Sequence, residues 1–179
     1  ILSGDTMLTL ATQNMMQVPD ALLRPVLDVF NDMAIKVYEG QRLDMDFETR
    51  QDVTTDKYIE MIGAKTGALL GAASKIGAML GGASDKDAAQ MEKFGYLLGL
   101  AFQIQDDILD VCGDSALLGK PTLSDEENGK VTYVTIHGID ESRRYVTELS
   151  ERAVRELEEI GGDNEFLKEL VIWLINRDK

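Results

Sequence analysis

From Ile1 to Met16 apolar residues recur at helical spacing, until Val18-Pro19-Asp20 interrupts them. Pro25 falls early in the next helix, where proline is tolerated. From there an apolar stripe runs through Val26, Leu27, Phe30, Met33, Ala34 and Val37. Thr54 or Thr55 is positioned to cap a third helix that runs to Gly81-Gly82. Ser84, with Asp87 three residues on, opens a fourth in the manner of a capping box, and Gly113 ends it. Ser115 to Lys130 contains Gly119, Pro121 and Asn128-Gly129 and reads as a loop, of a length that usually carries function in compact domains. Asp140 caps a charged amphipathic helix to Ile160, and Gly161-Gly162 breaks it. A last helix spans Asn164 to Arg177, with Phe166, Leu170, Trp173 and Leu174 as core. No strand alternation and no internal repeat stand out, so the pattern predicts an all-α fold, a single domain in 179 residues.

Two polar intrusions change this picture. The stripe through Phe30 and Val37 continues at Gln41, Asp44 and Glu48, so polar residues take over a face that was becoming core. Buried polar groups need partners, which predicts that GQRLDMDFE faces a polar cavity. In FQIQDDILDVCGD, Phe102 to Asp114, the residues Gln103, Asp106, Asp107 and Asp110 share an arc of roughly 100° beside an apolar arc of Leu97, Leu100, Ala101, Ile104, Ile108 and Val111. One reading is a solvated helix face. The other is a cation site, because no Lys or Arg at helical spacing relieves these like charges and carboxylate oxygens suit Mg²⁺.

Composition narrows the partners. The net charge is −14, which argues against binding nucleic acid through a basic face, although divalent cations could bridge an acidic protein to phosphates. The longest apolar stretch, Gly67 to Ala83, is interrupted by Lys75, so no transmembrane span is expected. A lone cysteine, Cys112, excludes an intrachain disulfide and suits a reducing cytoplasm; beside the acidic motif it reads as a small packing residue. In GAKTGALLGAA, Lys65 and Thr66 stand among small residues that would let a phosphate approach the backbone, though a snorkelling lysine accounts for them equally. Lys120 and Lys130 each follow a glycine in the long loop. Asn31, Asp32 and Glu39 read as a solvated face, and His137, without sequence partners, as structural or there by chance rather than catalytic.

Taken in order, GQRLDMDFE, GAKTGALL, YLLGLAFQIQDDILDVCGD and LGKPTLSDEENGKVTY resemble the trans-isoprenyl diphosphate synthases, the farnesyl and geranylgeranyl diphosphate synthase family, over nearly the whole chain. The resemblance implies the isoprenoid-synthase helical bundle, with residues 1–179 forming the C-terminal part of one such domain, its N-terminal helices lacking. It implies a transferase that condenses an allylic diphosphate with isopentenyl diphosphate and releases diphosphate. Three Mg²⁺ ions would lie between two Asp-rich motifs, in a cytoplasmic homodimer. By position, Asp106, Asp107 and Asp110 would be the second motif, with Asp106 the direct metal ligand. Lys65, Lys120 and Lys130 would grip the allylic diphosphate. Thr66 and Gln103 would lie beside the reacting carbons, and Gln41 and Asp44 would line the cavity wall and orient Lys65 or metal-bound water. The family's first Asp-rich motif is absent, Asp28 and Asp32 being too sparse to replace it, and it is expected before Ile1. The chain alone is therefore expected to be inactive. Two further readings compete: a non-catalytic subunit of a heteromeric prenyl synthase, and a class I terpene cyclase, whose second metal motif needs a hydroxyl where Ile35 stands.

Overall fold

The computed structural model describes residues 1–50, 52–112 and 130–177, and every regular element among them is helical. In chain order these are α1 (Leu2–Met15), α2 (Asp20–Phe47), α3 (Thr55–Ile62), a π-helical turn (Gly63–Gly67), α4 (Ala68–Leu80), α5 (Asp85–Cys112), α6 (Tyr133–His137), α7 (Ile139–Ile160) and α8 (Glu165–Ile175). The expected all-α class holds. Lys120, the end of α5 at Gly113 and all of the long loop except Lys130 lie outside the described residues.

Helix α5 is the axle of the bundle, packed on one side against α4 and on the other against α7. Its apolar arc, Phe94, Leu97, Leu98, Ala101, Ile104 and Ile108, meets Val146, Leu149, Ala153 and Leu157, which recur on α7 at spacings of three and four. Tyr58, Met61 and Ile62 of α3 close this core from above, and Val171 of α8 from the end. Burying each of these large apolar side chains contributes about 1.5–3 kcal/mol. The α4–α5 side is different, because small residues let the two backbones meet. A Cβ on Gly99 would stand 2.7 Å from the Cα of Gly67, and one on Gly95 would collide with the carbonyl of Leu70.

Local signals place most boundaries. Thr54 caps α3, accepting from the Lys57 N–H at 3.4 Å, and Ser84 caps α5, accepting from the Asp87 N–H at 3.2 Å. Gly161 and Gly162 take φ of +78° and +79°, left-handed values that stop α7 where expected. Four expectations need correction. The third helix is not uniform: five residues widen into a π turn between α3 and α4. Gly138, not Asp140, occupies the N-cap of α7, leaving Asp140 in the first turn, where its charge still favours the helix dipole. Phe166 and Trp173 are exposed (73% and 65%), because α8 carries two apolar stripes and it is Leu167, Val171, Leu174 and Ile175 that turn inward. Cys112 is exposed at the end of α5 rather than packed. One short helix, α6, was unforeseen. Thr132 and Thr135 close it with a reciprocal capping box, each side chain meeting the other's N–H at 3.2 and 2.8 Å.

Candidate active site

The π turn sets the geometry of the site. It is pressed from two sides by backbone: a Cβ on Gly40 of α2 would strike the Lys65 nitrogen, and one on Gly99 of α5 would lie 3.2 Å from the Thr66 carbonyl. A π turn inserts one residue into a helical ladder and is frequent at functional sites. Here it sends Lys65 towards α2 and Thr66 towards α5. The Lys65 ammonium donates to Asp44 Oδ2 at 2.6 Å, and the Thr66 hydroxyl donates to Gln103 Oε1 at 3.1 Å. Two neighbouring residues thus stitch the turn to both flanking helices.

Between these helices lies a cavity of about 160 Å³. Its polar lining includes Asp44, Lys65, Gln103, Asp106, Asp107 and Lys130, and its apolar lining includes Met61 and Ile62. Six of the residues singled out in the sequence therefore share one cavity although they come from four separate stretches of chain. Thr66 adjoins it through Gln103. Gln41 does not join them; its side chain is exposed, about 60° around α2 from Asp44.

The three motif aspartates do not share one environment. Asp107 is buried, and its Oδ2 accepts the Tyr58 hydroxyl at 2.5 Å and the Tyr133 N–H at 3.1 Å. Asp110 is 2% exposed and is not part of the cavity lining. Asp106 keeps solvent access and pairs with the guanidinium of Arg177, which stacks 3.8 Å from the centre of the Phe102 ring. Sequence reasoning missed Tyr58 and Arg177, whose partners lie 49 and 71 residues away along the chain. Beneath the site, Tyr133 and Tyr145 stack with centroids 5.0 Å apart, and burial pushes both phenols above their ordinary pKa. His137 meets the Thr55 hydroxyl at 2.7 Å and does not line this cavity, and Asn31, Asp32 and Glu39 are exposed, as expected of a solvated face.

The donor set is all oxygen and nitrogen with no thiol, which suits a hard cation over a soft one. Among the described residues no three His, Cys, Asp or Glu side chains converge into a metal site. Magnesium needs only one or two carboxylates when waters and substrate phosphates complete its shell, so Asp106 fits as a ligand to such an ion. Arg177 already neutralises Asp106, so an ion bound there would share or displace that guanidinium.

The polyprenyl synthetase family pattern matches residues 1–169, and the chain belongs to that family. It is 39% identical, over its whole length, to a geranylgeranyl diphosphate synthase of Methanosarcina mazei, of which it covers 58%. It is 34% identical, again over its whole length, to the farnesyl diphosphate synthase of Escherichia coli, covering 63% of that protein. In structure, 99% of the chain superposes on 66% of a geranylgeranyl pyrophosphate synthetase from the archaeon Geoglobus acetivorans, with a TM-score of 0.90 and 29% identity. The fold is thus the isoprenoid-synthase helical bundle, and the chain spans roughly three-fifths of the length of these relatives. Among the described residues no helix is long and apolar enough to cross a membrane.

Proposed function

We propose that residues 1–179 form part of a single isoprenyl diphosphate synthase domain whose full-length protein transfers an allylic group to isopentenyl diphosphate, releasing diphosphate. The observation that carries this reading is the convergence of Lys65, Lys130, Gln103 and Asp106 on one small cavity in a chain of the polyprenyl synthetase family. That convergence also favours the enzyme over a non-catalytic subunit, which has no use for a phosphate-sized polar cavity lined by two lysines.

Lys65 and Lys130 bind the allylic diphosphate and take up the charge that grows on it as its carbon–oxygen bond breaks. Asp44 aims Lys65, since their 2.6 Å contact fixes the direction of the ammonium while leaving it other protons to donate. Mg²⁺ held by Asp106, the motif aspartate that keeps solvent access, would supply further positive charge to the leaving diphosphate. Thr66 and Gln103 present oxygens that can stabilise the allylic cation, and their mutual hydrogen bond keeps those oxygens from swinging away. Met61 and Ile62 keep water from the cation. Such groups act more strongly on the transition state than on the bound substrate, which is the condition for catalysis.

The test is condensation of isopentenyl diphosphate with allylic primers by the full-length protein, with products resolved by chain length. Asp106→Ala should lower kcat on the order of 10²–10³-fold in a protein that still folds, although losing the Arg177 pair should lower its melting temperature. A mutant that condenses at the wild-type rate would remove Asp106 from the metal site.

A further inference from the structure

We infer that Tyr58 and Asp107 form a positioning pair that acts through Lys130, so that the two adjacent aspartates of α5 divide their labour: Asp106 towards the ligand, Asp107 towards the protein. The inference rests on the reading above, in which Lys130 binds the diphosphate.

Three elements meet at one carboxylate oxygen. Asp107 Oδ2, on α5, accepts the hydroxyl of Tyr58 from α3 and the N–H of Tyr133, the first residue of α6. Both aromatic residues are buried, Tyr58 at 2% and Tyr133 at 5% exposure, and so is Asp107 at 4%. A buried carboxylate is a poor source of stability, because desolvation offsets what its hydrogen bonds return. What such a group does supply is direction: two donors on one oxygen fix where the third element begins.

The geometry around Tyr133 shows what is being fixed. Thr132 and Thr135 lock the first turn of α6 through their capping box, and the Tyr133 ring is stacked on Tyr145 of α7 with only 9° between planes. Tyr133 is therefore rigid from its backbone to its ring. Lys130 lies three residues before it and lines the same cavity as Asp107. Val131 and Thr132, which line the cavity as well, are the only residues between that anchor and the lysine, so the placement of the Lys130 backbone follows from the Asp107–Tyr133 contact. Tyr58 sets the carboxylate; the carboxylate sets Tyr133; Tyr133 sets Lys130.

The experiment is calorimetric titration of the full-length protein with inorganic diphosphate in the presence of Mg²⁺, which reads binding without turnover. Tyr58→Phe keeps the ring and removes only the hydroxyl, and should weaken diphosphate binding three- to tenfold. Asp107→Asn, which retains an acceptor for both donors, should bind within threefold of wild type, whereas Asp107→Leu should lose tenfold or more. In a Lys130→Met background, Tyr58→Phe should add less than twofold, the signature of residues acting through one partner. Full additivity in that background would overturn the pair, as would an Asp107→Asn protein as impaired as Asp107→Leu, since that result makes the carboxylate a metal ligand. A merely structural role for Tyr58 would lower the melting temperature without this coupling. Wild-type protein that binds no Mg²⁺–diphosphate would overturn the proposed function itself; binding with additive losses overturns only the tie.

Discussion

The wall around the π turn and the outward-facing sides of α1 and α8 invert the usual expectation of where apolar and polar residues go. In the wall, Asp107 is buried and Lys65 and Asp44 are largely so. On the outward sides, Met7, Leu10, Phe166 and Trp173 are all more than half exposed, and α1 buries no residue. Apolar residues are common on surfaces, so exposure alone says little; a buried carboxylate held by two donors is the informative case. The wall is built on direction and the outward sides are not, and substitutions should separate them.

The largest effect should come where backbones touch. Gly99→Ala sets a methyl 2.7 Å from Gly67 Cα, and should cost about 1–3 kcal/mol and lower the melting temperature by several degrees. Gly77→Ala is its control on the outer side of α4. Nothing lies within 4 Å of the added methyl, so ordinary helix propensity should raise stability by roughly 0.5–1 kcal/mol. Equal signs for the two would erase the distinction between wall and rim.

A smaller effect should appear in alkali. Tyr133 and Tyr145 ionise later in the folded protein than the value near 10.0 they take when exposed. Their contribution to stability is thus whole below about pH 10 and is lost as pH rises through the folded values. Melting curves from about pH 8 to about pH 11 should show that decline, and Tyr145→Phe should show a shallower one.

The smallest effect belongs to the outward-facing side of α8. Trp173→Ser or Phe166→Ser should change stability by no more than about 0.5 kcal/mol in urea titrations. A loss of several kcal/mol would mean that this face is covered in the full-length protein and would break the comparison outright.

What the sequence made legible follows the same division. Helix class, the caps at Thr54 and Ser84 and the Gly161-Gly162 break are written in neighbouring residues, and each stands where the local chemistry put it. The cavity was legible as far as helical spacing reaches: Gln103 and Asp106 share an arc of α5, and Lys65 with Thr66 is a local motif. The rest depends on partners far along the chain. Nothing near Tyr58 announces Asp107, and nothing near Asp106 announces Arg177, because both contacts exist only once the bundle has closed. Gln41 and Asp44 show the limit from the other side. A residue and its neighbour three positions on differ by about 60° around the helix, enough to put one in the cavity and the other in water. Phe166 and Trp173 failed for a plainer reason, since on a two-stripe helix hydrophobicity does not say which stripe turns inward.

The π turn carries one consequence that reaches beyond its own five residues. A π turn holds one residue more than a regular helix over nearly the same rotation, so deleting one residue between Gly63 and Gly67 would close the ladder and leave α3 and α4 almost in phase. What would be lost is local: with one position gone, Lys65 and Thr66 could no longer both be neighbours and reach Asp44 on α2 and Gln103 on α5. At this point of the chain the number of residues is itself under constraint, because the extra one is what lets a single turn be tied to two helices.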